Sequence, residues 1–123
     1  MTDKTVLVDE KLQAALDFSK FKFHSKNQKD AAHHKLKENL TIAINGGSFD
    51  ITPELIMFTD FHVRSKKASF YLIDLNENPI LIDDPKEFLK TITTKYHDSM
   101  NAYFVEYSKI RRARQTLKLI DNE

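Results

Sequence analysis

Five histidines, His24, His33, His34, His62 and His97, are the first residues to weigh for chemistry. A helical metal site needs ligands at i and i+4 so that both point the same way, and no two of these histidines have that spacing. Adjacent His33 and His34 diverge by about 100° on a helix. Asp30 and His34 stand four apart and offer two ligands in principle, but the same pair makes an ordinary exposed contact on a charged helix. Asp60 and His62, two apart, diverge if helical. The acids Asp74, Glu77, Asp83, Asp84 and Glu87 fall in one short stretch. Acid–base work or a divalent cation would require a fixed structure that makes them converge. No glycine-rich elbow presents a serine, and Gly46-Gly47-Ser48-Phe49 lacks the lysine of a phosphate-binding loop. Cysteine is absent, so disulfides and thiolate chemistry are excluded. The expectation is a protein that is not an enzyme and has no catalytic residue, cofactor or metal.

Charge and aromatic patterning point elsewhere. From Lys20 to Lys37 there are six lysines and three histidines against Asp30 alone, and from Lys109 to Lys118 five basic residues against no acid. Lys26, Lys29, Arg111, Arg112, Arg114 and Lys118 are the candidate contacts to a nucleic acid. Cations near a helix C-terminus also complement the macrodipole, and a net charge of only +1 weakens a purely electrostatic grip on phosphates. Tyr96, Met100, Tyr103, Phe104, Tyr107 and Ile110 recur at helical spacing. Tyrosine at three of these positions suggests a half-wet seam, fitted to an interface between subunits, with a homodimer as the first expectation.

The elements that must position these residues follow from hydrophobic period. Asp84-Pro85-Lys86-Glu87 is a strong helix start, with an N-cap aspartate, proline at the first position and glutamate at the third. Leu89, Ile92, Tyr96, Met100, Tyr103, Tyr107, Ile110 and Leu117 then continue toward the last residues. Such a helix of some 33 residues is a rod of roughly 50 Å, whereas a compact chain of this size has a gyration radius of about 14 Å, so a second long helix is needed beside it. Leu12, Ala15, Leu16, Ser19 and Phe23 begin that partner after an N-cap Asp9, and Val6 to Val8 read as a short edge strand. Leu36, Leu40 and Ile44 extend the helix to about Asn45, where Gly46-Gly47 ends it. The rival reading makes Leu40 to Ile44 a strand and Asn45-Gly46 a hairpin turn toward Phe49 and Ile51.

Thr52-Pro53-Glu54 opens a short helix carrying Leu55, Ile56, Phe58 and Phe61. Ser69 to Ile73 and Ile80 to Ile82 form a β-hairpin about the turn Asn76 to Pro79, with Phe49 to Ile51 as a possible third strand. The expected fold is one α+β domain over residues 1–123. It has two long antiparallel helices, one short helix and a small antiparallel sheet, with Leu12, Leu16, Phe23, Leu36 and Leu40 facing Leu89, Ile92, Tyr96, Met100 and Tyr103.

Two glycines and three prolines in 123 residues leave little linker, and 41% hydrophobic content suffices for a modest core. No window is apolar enough for a membrane span, and Met1-Thr2-Asp3-Lys4 lacks the order of a secretory signal, so a cytoplasmic protein without membrane contact is expected.

Three segments carry a resemblance. Asn78-Pro79-Ile80-Leu81-Ile82-Asp83-Asp84, Glu87-Phe88 to Tyr103, and Tyr107-Ser108-Lys109-Ile110-Arg111-Arg112-Ala113-Arg114 are similar to segments of small uncharacterised proteins of tailed phages infecting marine cyanobacteria. Gly46-Gly47, Phe49 and Ile51-Thr52-Pro53 look similar too, so the resemblance spans about two thirds of the chain. It implies a phage protein made in the host bacterial cytoplasm, and it brings no functional residues with it. From residues and resemblance together, the expected role is a non-enzymatic, self-associating interaction or scaffold protein whose last helix is the interface; an accessory nucleic-acid-binding protein is the alternative.

Overall fold

A computed structural model describes the backbone of residues 2–121 and the side chains of residues 9–113. The element order is α1 (Thr2–Asn39), β1 (Thr41–Ile44), β2 (Gly47–Asp50), α2 (Pro53–Arg64), β3 (Phe70–Ile73), β4 (Pro79–Ile82) and α3 (Pro85–Asp121). The fold is α+β, with three helices and two separate two-stranded antiparallel sheets. The chain divides into two compact units. One consists of the described residues of Met1–Ala32 and Glu106–Glu123, the other of His33–Val105.

Among the described side chains of the first unit, Phe21, Ser25, Lys29 and Ala32 of α1 are recessed, at spacings of four, four and three, and Ile110 of α3 is buried. Leu12, Leu16 and Phe23, expected to face the other long helix, are exposed. The line that is covered consists mostly of small or polar residues, so apolar periodicity picked out the wrong stripe. The expected edge strand at Val6 to Val8 is also corrected, because α1 runs through it.

The second unit holds the core, formed by Phe49, Ile51, Phe70, Ile82, Phe88 and Ile92. Alternation along each strand delivers these side chains. Ile42 and Ile44 point inward from β1, Phe49 from β2, Phe70 and Leu72 from β3, and Ile80 and Ile82 from β4. Leu55 and Ile56 close the core from α2. Within this unit the end of α1 and the middle of α3 run antiparallel. His33 meets the edge of Tyr103 at 6.2 Å, and the Ser99 hydroxyl donates to the Asn39 carbonyl at 3.5 Å.

Leu40 to Ile44 is where the expected helix gives way. The last helical turn closes with Leu40 N–H on Leu36 O, after which β-branched Thr41, Ile42 and Ile44 form β1. β1 pairs with β2 in the register Thr41↔Asp50 to Ile44↔Gly47, leaving Asn45-Gly46 as a two-residue turn with φ of 53° and 82°. Both angles are positive, as this hairpin turn requires, and asparagine and glycine are the residues that tolerate it. Gly46 is therefore half of a hairpin turn and Gly47 the first residue of β2, rather than a helix stop. Phe49 belongs with β1, not with the hairpin of β3 and β4.

The two helix starts are as the sequence reads. Thr52 Oγ1 accepts from Leu55 N–H at 3.1 Å, and Asp84 Oδ1 accepts from Glu87 N–H at 3.2 Å. Helix α2 ends in a left-handed Lys66, φ 57°, with Lys66 N–H on Val63 O and Lys67 N–H on His62 O.

Gly47 sets the spacing of the two hairpins. A Cβ at this position would sit 2.5 Å from Ile80 Cγ1 and 3.0 Å from its Cδ1. Gly47→Ala is accordingly expected to destabilise the fold by about 1–3 kcal/mol through overpacking. In an Ile80→Ala background the same change should cost less, and urea denaturation of the four proteins of this cycle measures the difference.

Candidate interaction surfaces

Among the acids of the sequence, Asp74 is buried, and its carboxylate has a structural duty. Oδ1 accepts from Asn78 N–H at 2.8 Å and Asn76 N–H at 3.0 Å, while Oδ2 accepts from Ser48 N–H at 3.1 Å. The β3–β4 loop is thus folded around Asp74, with Asp74 N–H on Asn78 O, Glu77 N–H on Asp74 O, and Glu77 left-handed at φ 63°. Leu75 N–H returns a bond to Ser48 O. The Asn78 N–H does most to hold the Asp74 carboxyl below the usual aspartate range; burial pulls the other way, and the N–H groups of Ser48 and Asn76 add to the lowering.

The other acids are dispersed. Asp84 caps α3, Asp83 Oδ1 accepts from Asn45 Nδ2 at 3.3 Å, and Asp60 pairs with Arg64 at 2.7 Å. Among the described residues no three His, Asp or Glu side chains gather as a metal would need.

His62 and His33 make ring contacts, and His34 an exposed ion contact. His62 Nδ1 donates to Phe58 O at 2.8 Å, and its ring stacks on Phe70 at 4.3 Å and 19°. His34 Nε2 reaches Glu38 at 3.0 Å rather than Asp30, and His33 packs on Tyr103.

The six expected interface residues fall into two groups. Tyr96 packs against the core, Tyr103 is half-buried beside His33, and Ile110 is buried. Met100, Phe104 and Tyr107 lie at the surface, Phe104 at 68% exposure. Of the basic candidates, Lys26, Arg111 and Arg112 are exposed, whereas Lys29 is half-buried with its ammonium 5.8 Å from the Tyr107 ring centroid. The side chains of Arg114 and Lys118 lie outside the described residues.

Sequence reasoning passed over one apolar surface. Tyr71, Ile73, Leu75 and Leu81 are exposed on the side of the β3–β4 hairpin away from the core. The signal was present: Phe70-Tyr71-Leu72-Ile73 and Pro79-Ile80-Leu81-Ile82 have no polar alternation, the pattern of strands covered on both faces.

The fold and its surfaces define a class only, an α+β protein with a two-sided apolar hairpin. Comparison with family models, curated proteins and solved structures finds no match for the chain.

The lowered Asp74 value makes a pH prediction with a definite sign. A folded value below the unfolded one contributes stability that is fully present above about pH 4 and disappears as pH falls through the folded value. Asp74→Asn should lower the urea midpoint at neutral pH and flatten its decline in acid, measured from pH 7 downward.

Proposed function

We propose that this chain is a non-enzymatic interaction protein that associates with itself, a homodimer first, in the setting of a phage-encoded protein made in a bacterial cytoplasm. The observation that carries the reading is the amount of large apolar side chain left in water beside a filled core. On α3 they include Met100, Phe104 and Val105, and on the β3–β4 hairpin Tyr71 and Ile73 at 68% and 73% exposure. Exposed apolar side chains are ordinary singly, but grouped ones mark contact surfaces. The last helix, expected to supply the whole interface, has Tyr96, Tyr103 and Ile110 already engaged within the chain. Among the described residues no helix is long and apolar enough to cross a membrane, so the apolar surface is not read as a transmembrane helix.

Light scattering coupled to size exclusion should give a mass above that of one chain at micromolar concentration, decreasing on dilution. A strict monomer across that range overturns self-association.

A second reading, an accessory nucleic-acid-binding protein, is favoured by one observation. The first unit contains both Lys20, Lys22, Lys26 and Lys29 of α1 and Lys109, Arg111 and Arg112 of α3. Fluorescence anisotropy with labelled DNA and RNA tests it against a variant with Lys26, Lys29, Arg111, Arg112 and Arg114 replaced by alanine. The log–log salt slope should fall by roughly one for each phosphate contact removed. Equal, weak binding by both proteins removes this reading.

A further inference from the structure

A β-hairpin with apolar residues along both strands has two faces to bury, and the second unit covers only one. Phe70, Leu72, Ile80 and Ile82 turn into the core. On the other side the register places Tyr71 opposite Leu81 and Ile73 opposite Pro79, so these four side chains form one exposed patch, and exposed Leu75 follows in the loop as a fifth apolar side chain. We propose that this patch is the contact surface for a second copy of the same chain, the two hairpins packing face to face about a two-fold axis near Ile73. The proposal rests on the self-association reading above and assigns its location.

Area, charge and edge chemistry each argue for this occupant. Exposed fractions of 68% for Tyr71, 73% for Ile73, 54% for Leu75 and 40% for Leu81 correspond to roughly 400–500 Å² of side-chain surface, as large as the biggest patch on a typical monomer. Two such faces together approach the roughly 1,000 Å² that a specific interface requires, before any rim residue is counted. None of the five side chains is charged, in a chain whose residues are 30% charged. Two copies of the face therefore meet without like-charge repulsion, and a polyanion finds no cation on it. A face that is its own complement is what a two-fold interface needs.

Strand addition, the other way a hairpin recruits a partner, is obstructed on the β4 side. Pro79 has no N–H to donate, and the Leu81 carbonyl already accepts from Asn45 Nδ2 at 2.9 Å. On that side the face is the available docking surface. Tyr71 adds an aromatic body with a hydroxyl that can stay wet at the margin, a side chain common at interfaces.

Two measurements test the assignment on the full chain. In light scattering, Ile73→Lys should weaken the dimer by about tenfold or more while keeping the circular dichroism spectrum of the wild type, because Ile73 touches solvent rather than core. Phe104→Glu should remain dimeric. The chain has no cysteine, so single cysteines report proximity without background. Under mild oxidation Ile73→Cys should give a covalent dimer and Phe104→Cys should not, since a disulfide forms only between closely apposed positions. If the wild type is dimeric, Ile73→Lys is equally dimeric, and the cross-link forms at Phe104→Cys instead, the hairpin assignment is overturned while self-association stands. A monomeric wild type overturns both.

Discussion

The carboxylate of Asp74 accepts from three backbone N–H groups that belong to two different hairpins, and the arrangement of the second unit follows from that. Asn76 and Asn78 wrap the β3–β4 loop around one oxygen, Oδ1, and Ser48 brings β2 to the other, Oδ2, with Leu75 N–H on Ser48 O completing a reciprocal clamp. Once Ser48 is fixed there, its neighbour Gly47 must pass Ile80 at a distance that no Cβ would tolerate without movement. The two small sheets are thereby held close enough for Phe49, Phe70 and Ile82 to share one core. A short carboxylate suits this joint because, when ionised, it only accepts hydrogen bonds, and turn backbones supply donors.

Local chemistry was the legible part of the fold. The caps Thr52 and Asp84 act over three residues through a single side-chain oxygen, so their positions can be read from the chain alone. The hairpin at Asn45-Gly46 carries an equally local signal. It lost to the helical spacing of Leu36, Leu40 and Ile44, because a four-residue period on a short segment does not distinguish a helix from the start of an inward-facing strand. Partner choice between elements was not legible. Which stripe of α1 is covered depends on Ser25, Lys29 and Ala32, residues that no hydrophobicity pattern selects.

Contact surfaces were legible only in part, for a related reason. Periodicity finds residues that share a face, as it did for Tyr96, Met100, Tyr103 and Phe104, but it does not say whether the chain itself has already used that face. Tyr96 and Tyr103 are engaged internally and Phe104 is not. On the hairpin the useful signal was a missing one, the lack of polar alternation over Phe70 to Ile73. Likewise the acids from Asp74 to Glu87 are close together in sequence and serve as separate caps and turn anchors in space.

The two-sided hairpin has a consequence for how its own alignment is specified. In an ordinary amphipathic pair, sliding one strand by a single residue exchanges buried for exposed side chains, and the resulting cost enforces correct pairing. Here a slide would exchange apolar for apolar, and the pattern would hardly penalise it. The information that matches Ile73 to Pro79 resides instead in the five-residue loop, in the amides of Asn76 and Asn78 held by one carboxylate and in a left-handed Glu77. The loop, and not the strands, encodes the alignment of this sheet.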